Sequence, residues 1–356
     1  MCSRNFASVG ALAVLVVASL ITVGAAGQAP AGAATPKRAT AKTWIAPRTA
    51  DGQPDLQGVW ANNMATPLER PKELADKAVL TDKELEDFKD RAAQLFGSGG
   101  SDAVFGDGLY QAIAASLNTY VSRDGKTGNY NQFWLVDREF ENRTSTIFNP
   151  PDGKLPPLTP EAKQRQDAAA AARLRPPAGP EDRGLSERCL TFGVPRIGGI
   201  NSGYNSYYQI FQTRDYVAIN NEMYHESRLI PLDGRPHLPS SVRPWLGDSR
   251  GRWEGDTLVV DTTNFSPKSN YLGARENLHV IERFTRTGPD TVKYEVTVED
   301  PTTWTKPWSA WVSWKSSKEP IYEVACHEGN YGMAGILSGA RAEEKAAEAA
   351  AKKGSR

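Results

Sequence analysis

The sequence predicts a mainly β domain: an antiparallel meander that closes into a barrel or a two-layer sandwich, with helical segments on its N-terminal side. Short runs rich in β-branched and aromatic residues recur between turn signals over residues 132–326. The run 291–299 alternates strictly, with Val292, Tyr294 and Val296 on one face, as in a strand with one buried side. Short turns join neighbouring runs, which favours hairpins, and a sheet of about ten strands is expected to curl.

The N-terminus predicts export. Arg4 precedes an apolar run from Val9 to Val23, and the small residues that follow suit a signal peptidase. We therefore expect a cleaved Sec-type signal over residues 1–27, a flexible Ala- and Pro-rich leader over 28–43, and a periplasmic or secreted mature protein. No stable membrane span is expected after processing, and a retained N-terminal anchor is the alternative.

Two helices are expected inside the β-rich domain, which we place at residues 44–341. Thr81 and Glu84 form a capping box at the start of an amphipathic helix near 81–96. A second helix, near 160–174, has almost no apolar face and is predicted to be a solvated connector. The charged, Ala-rich tail over 342–356 also lacks an apolar face, and we expect a frayed helix or disorder there.

The remaining elements of the domain are predicted strands. Turn signals such as Asp233-Gly234, Gly255-Asp256 and Gly288-Pro289-Asp290 separate them. No repeat of fixed length is evident, which disfavours a propeller. In chain order the predicted strands cover 132–136, 144–148, 206–213, 216–220, 226–231, 252–254, 257–262, 278–286, 291–299, 310–314 and 321–326.

Charge and motif composition narrow the choice of partners and cofactors. The chain has 42 basic and 42 acidic residues, and this balance argues against nucleic acid or an anionic membrane as the main partner. Gly125-Lys126-Thr127 lacks the upstream glycine of a phosphate-binding loop, and no G-x-G-x-x-G is present. We therefore expect a small-molecule ligand and no nucleotide or other cofactor.

The cysteines predict one disulfide. Cys2 precedes the apolar run of the signal, so Cys189 and Cys326 are the pair that remains after export into an oxidising compartment. The alternatives are two buried thiols, or one reactive thiol beside His327.

One carboxylate falls on the apolar face of a predicted strand. Glu282 shares that face with Val280 and Phe284. A carboxylate there is costly unless it is paired or protonated, so Glu282 is a candidate general acid or base. The structural alternative is a buried salt bridge to an arginine such as Arg228 or Arg275.

All four histidines, His225, His237, His279 and His327, lie in the second half of the chain. We take His279, with His225 or His327, as catalytic partners of Glu282 in a proton shuttle. His237 follows a proline in a turn and is expected to be exposed. No spacing is diagnostic of a metal, so we assign no metal ligands, although a site that gathers histidines from several strands stays an alternative.

Aromatic residues predict a ligand cavity. Tryptophans cluster over 304–314, and most are expected in the core. Because aromatic side chains at the mouth of a barrel suit an apolar or aromatic ligand, we assign Trp308, Trp311, Tyr208 and Tyr331 as candidate ligand-binding residues.

Several longer motifs carry a family resemblance. They are DGQPDLQGVW at 51–60, RCL at 188–190, GRWEGDTLVVDTTNF at 251–265 and ACHEGNY at 325–331. On these motifs the chain resembles a widespread family of uncharacterised exported bacterial proteins, which implies kinship and export but no particular reaction. The strand and turn pattern is loosely similar to calycin (lipocalin-like) barrels, a likeness of fold alone.

The leading functional hypothesis is an exported domain whose cavity handles a small, apolar or aromatic molecule. If the protein is an enzyme, we expect acid–base chemistry, as in a lyase, isomerase or hydrolase, without a nucleotide cofactor. A non-catalytic, lipocalin-like binding protein and a histidine-based metal site are the alternatives.

Overall fold

Ten antiparallel strands form one sheet in the computed structural model, which describes residues 44–97, 106–120, 138–198, 203–204 and 206–354. The strands are β1 (Gly58–Ala61), β2 (Ile147–Asn149), β3 (Tyr207–Gln212), β4 (Tyr216–Asn221), β5 (Ser227–Pro231), β6 (Asp248–Glu254), β7 (Thr257–Thr263), β8 (His279–Gly288), β9 (Thr291–Glu299) and β10 (Trp308–Ser317). The helices are α1 (Asp82–Gly97), α2 (Gly108–Ala114), α3 (Pro160–Arg173) and α4 (Tyr331–Gly354). The predicted mainly β, antiparallel class is confirmed.

The sheet consists of two meanders joined by β1. Its order is β5-β4-β3-β1-β10-β9-β8-β7-β6, and β2 pairs with β10 outside this path. The described strands show no ladder between β5 and β6, so hydrogen bonds do not close the sheet into a barrel. The two edge strands, β5 and β6, nevertheless lie close together. A Cβ atom added at Gly251 on β6 would lie 2.6 Å from the Leu232 side chain and 2.8 Å from the Ile230 side chain. The sheet is therefore curled, with side chains meeting between its edges.

The core fills the inside of this curl. Alternate residues of β9 are buried, as the sequence pattern predicts. Trp314 stacks on Tyr208 at 4.2 Å between ring centroids and lies 4.6 Å from Tyr294. All three rings are almost fully buried. Burial of one large apolar side chain stabilises the fold by about 1.5–3 kcal/mol, so this aromatic stack is a main source of stability.

Strand β1 fixes the centre of the sheet, although its four residues were not predicted as a strand. Trp60 is buried, and its Nε1 donates to the Leu56 carbonyl at 2.8 Å. The Arg286 guanidinium lies 5.5 Å from the centroid of the Trp60 ring and donates to the Asp55 carbonyl at 2.9 Å. These contacts hold the chain before β1 against β8.

The predicted helices are present, and the C-terminal one is longer than predicted. At α1, Glu84 accepts from the Thr81 backbone N–H at 2.8 Å, while the Glu84 N–H donates to Thr81 Oγ1 at 3.3 Å, which is the capping box. Helix α3 buries only Ala162, in keeping with a solvated connector. Helix α4 begins at Tyr331, well before the tail predicted from residue 342. None of the described helices is long and apolar enough to cross a membrane.

One predicted strand is not found, and another is not tested. Residues 321–326 form no strand, because the chain turns there, with the Cys326 N–H donating to the Val324 carbonyl at 2.8 Å. The predicted strand 132–136 lies outside the described residues, as do the predicted signal and leader over 1–43. The predicted disulfide is confirmed: Cys189 and Cys326 are bonded, with 5.7 Å between their Cα atoms.

Candidate functional site

Glu282 is sealed in the core by an ion pair. Arg228, on β5, donates to its two carboxylate oxygens at 2.5 and 3.0 Å, and the Tyr294 hydroxyl donates to Oε1 at 2.8 Å. The side chains of Glu282 and Arg228 are 1% and 8% exposed. Burial and the adjacent carboxylate raise the pKa of Tyr294. The geometry is that of the buried salt bridge anticipated from the sequence, and it crosses the inside of the curled sheet.

A second buried ion pair extends this network. Arg196 pairs with Glu226, and both side chains are less than 10% exposed. Glu226 also accepts from the Phe192 backbone N–H at 3.1 Å, and the Arg196 N–H donates to the Tyr294 hydroxyl at 3.2 Å. Tyr294 therefore links the two pairs. The inside of the curl holds fixed charges that contact each other, an arrangement typical of structural networks.

The predicted catalytic partners of Glu282 lie elsewhere, so that assignment is corrected. Residues 279 and 282 are three apart on β8 and therefore face opposite sides of the sheet. His225 is exposed in a short 3-10 turn, and His327 is exposed beside the disulfide. The polar side-chain partners of Glu282 are Arg228 and Tyr294. The predicted proton shuttle is not assembled.

A different pair of histidines meets on the outer face of the sheet. Nε2 of His237 lies 3.1 Å from Asp261 Oδ1, and Nε2 of His279 lies 3.2 Å from the same oxygen. Each Nδ1 contacts a further carboxylate: Asp248 at 2.9 Å from His237, and Glu299 at 3.2 Å from His279. His237 was expected to be exposed in a turn; its side chain is only 30% exposed, because the loop after β5 folds back onto β6 and β7. We call these five residues the His–carboxylate chain.

The His–carboxylate chain favours a protonated imidazole at His279. A neutral imidazole has one N–H, so it can donate to only one of two flanking carboxylates, whereas an imidazolium donates to both. The hydrogen bond to Asp261 raises the pKa of His279, and the contact with Glu299 adds to this increase. Burial lowers the pKa of His279 but does not cancel the increase. The contact with His279, and then that with His237, lowers the pKa of Asp261. Both ring nitrogens of each histidine are occupied, so neither is a free general base.

The histidines do not gather as metal ligands. Over the part of the chain that the structure describes, which includes all four histidines, no group of three or more His, Cys, Asp or Glu side chains could hold a metal ion. The alternative of a histidine-based metal site is therefore not formed by these residues.

The four aromatic residues assigned to a ligand do not share a cavity. Trp308 and Tyr208 are buried in the core. Trp311, on the opposite face of β10, lies beneath Arg143, whose guanidinium carbon is 3.4 Å from the ring centroid. Tyr331 is the first residue of α4 and is 83% exposed. The alternation of β10 and the packing of the core separate them, so this assignment is also corrected.

Another group of aromatic residues lines a cleft beside the sheet. We call it the aromatic cleft: a space of about 240 Å³ whose apolar wall includes Phe192, Trp245, Phe265, Tyr271 and Leu278. These residues come from the loop before β3, the loops around β6 and β7, and the segment that leads into β8. The Tyr271 hydroxyl donates to the Ile197 carbonyl at 3.0 Å, and Ser269 donates to the Trp245 carbonyl at 2.9 Å. Hydrogen bonds between loops thus hold the wall in place.

The C-terminal end of α3 borders the aromatic cleft. Arg173, in the last turn of the helix, is the single charged residue among the described residues that line it. Arg173 and Asn270 also line a neighbouring cleft of about 710 Å³, which runs along α3 towards Arg165 and Arg275. The two clefts are therefore adjacent, and together they follow one side of the helix.

Known proteins give little guidance. No protein-family model and no curated protein matches the sequence. Among solved structures, a point mutant of the fluorescent protein UnaG is similar at 16% sequence identity and a TM-score of 0.21, over 32% of this chain and 72% of that one. At this score the likeness carries no weight for fold or ligand, so the candidate site depends on its own geometry.

Proposed function

We propose that this is an exported, non-catalytic binding protein whose aromatic cleft takes a small molecule with an apolar or aromatic body. The observation that carries the proposal is the convergence of Phe192, Trp245, Phe265 and Tyr271 around one open space beside the sheet. Ligand sites combine such apolar walls with a few placed polar groups. The Cys189–Cys326 disulfide supports an oxidising compartment for the mature protein.

Binding is favoured over catalysis because Glu282 and His279, the two central groups of the predicted proton shuttle, are both occupied. Glu282 is held by Arg228 and Tyr294, and both nitrogens of His279 contact carboxylates. For the fold we propose a calycin-like barrel whose last seam, between β5 and β6, is closed by side-chain packing. The approach of Gly251 to Ile230 and Leu232 supports that seam.

The test is equilibrium binding of a neutral bicyclic aromatic probe, naphthamide, measured by calorimetry. Trp245→Ala removes part of the cleft wall and is expected to weaken binding about tenfold, which corresponds to the loss of one aromatic contact surface of roughly 1.4 kcal/mol. Trp44→Ala is the matched control, because Trp44 is 37% exposed and does not line the cleft. Absence of saturable binding, or equal losses in the two variants, would refute the proposal.

A further inference from the structure

Arg173 has no partner among the described residues. Its guanidinium makes no hydrogen bond or ion pair there, and the residue is exposed at the rim of the aromatic cleft. Three other basic residues along this side of the protein are paired: Lys163 with Asp167, Arg183 with Glu187, and Arg165 with the Thr302 carbonyl. An unpaired guanidinium beside an apolar wall leaves a full positive charge and its N–H donors open to a ligand.

The remaining polar groups of the cleft also suit an anion. The Asn270 side-chain oxygen accepts from the Gly273 N–H at 2.8 Å, which leaves the amide NH₂ of Asn270 as a donor. Thr191 Oγ1 accepts from the Gly193 N–H at 2.9 Å, and its hydroxyl hydrogen stays available. No carboxylate is found among the described lining residues. The polar part of the cleft is therefore rich in donors and carries one positive charge.

We propose that the aromatic cleft selects molecules that join an aromatic or apolar body to one carboxylate, with Arg173 as the residue that binds the carboxylate. This inference rests on the proposed function and names its ligand class. A planar guanidinium matches a carboxylate with two parallel hydrogen bonds. The aromatic body would lie against Trp245 and Phe192, with the carboxylate directed to the rim.

The position of Arg173 on α3 favours a monoanion over a phosphate dianion. Arg173 lies at the C-terminal end of the helix, where the helix dipole places partial negative charge. One guanidinium offsets that partial charge for a single carboxylate. The second negative charge of a dianion would be repelled by the helix end without a second cation to offset the repulsion. The described lining of the aromatic cleft has no charged residue other than Arg173.

The experiment compares naphthoate with its neutral isostere naphthamide by calorimetry in the full mature protein. The native protein is expected to bind naphthoate about tenfold more tightly, in the range of a charge-assisted hydrogen bond at a partly exposed site. Arg173→Gln is expected to abolish this preference, so that the variant binds naphthoate and naphthamide with equal affinity. Arg175→Gln is the matched control, since Arg175 is exposed nearby, outside the cleft lining, and should behave as the native protein.

The outcomes separate the two proposals. If naphthoate and naphthamide bind the native protein equally, or Arg173→Gln keeps the preference for naphthoate, the carboxylate inference is overturned and the cleft remains a binding site. If neither compound binds, the proposed function fails, and the inference that rests on it fails too. A preference lost in Arg173→Gln but kept in Arg175→Gln supports both.

Discussion

Removal of Glu282 should strongly destabilise the protein. In Glu282→Leu the Arg228 guanidinium, 8% exposed, would stay buried without its counter-charge, and the Tyr294 hydroxyl would lose its acceptor. Breaking a buried pair by removing one partner costs about 3–5 kcal/mol. A buried hydroxyl hydrogen left without an acceptor costs about 1–3 kcal/mol more. Because domains are stable by only about 5–15 kcal/mol, Glu282→Leu should lose a large share of its stability.

A double mutant distinguishes the ion pair from simple loss of packing. Arg228→Leu combined with Glu282→Leu removes both charges, and such replacements are often close to neutral. The double mutant should therefore be more stable than Glu282→Leu alone, with a strong coupling between the two sites. Glu254→Gln is the control, because Glu254 pairs with arginines at an exposed position and should have little effect.

The assay is equilibrium unfolding in urea followed by tryptophan fluorescence, since Trp314 lies 4.6 Å from the Tyr294 ring and reports on this part of the core. A loss below about 1 kcal/mol in Glu282→Leu would refute the reasoning, because an exposed pair has that magnitude. So would a double mutant whose loss equals the sum of the two single losses.

The remaining predictions concern pH and the disulfide. The pKa of His279 is raised in the folded protein, so its contacts stabilise the fold fully below the ordinary histidine pKa of 6.5, and this stability is lost as the pH rises through the folded-state pKa. The pKa of Asp261 is lowered, so its contacts stabilise the fold above the ordinary aspartate pKa of 3.8, and this stability is lost as the pH falls through the folded-state pKa. His279→Gln should therefore flatten the fall in thermal stability as the pH rises above 6.5. An unchanged slope of melting temperature against pH would count against the His–carboxylate chain. Cys189→Ser with Cys326→Ser opens a loop with a sequence separation of 137 and should lower the free energy of unfolding by about 5 kcal/mol in urea titrations. A loss below about 1 kcal/mol would show that the bond does not constrain the unfolded chain.

Local pattern was enough to predict much of the sheet. The period-2 alternation of β9 and the turn at 288–290 determine a hairpin, and counting back from that turn places His279 opposite Glu299, as observed. The position of β1 between β3 and β10 could not be predicted from the local sequence pattern. It depends on pairing between residues far apart in the chain, and its four residues carry too little signal.

The residues of the candidate site were harder to predict, for two physical reasons. His237 contacts Asp248 because the loop after β5 folds back onto β6 and β7. A turn signal in the sequence does not show where the loop goes after the turn. Arg173 lies on a helix whose lack of an apolar face correctly predicted solvent exposure, but the cleft beside it is built by loops from distant segments. In contrast, the alternation of side chains along β8 is enough to predict which face each residue occupies. This alternation alone places His279 and Glu282 on opposite faces of the sheet.

The location of the ligand is the most direct test of the central proposal, and photo-crosslinking measures it. A diazirine derivative of naphthoate, activated in the folded protein and mapped by mass spectrometry, should label peptides that contain Phe192, Trp245 or Tyr271, and excess naphthoate should suppress the labelling. Labelling that excess naphthoate does not suppress, or that falls on the exposed apolar residues Phe211 and Leu229 of β3 and β5, would contradict a ligand site in the aromatic cleft.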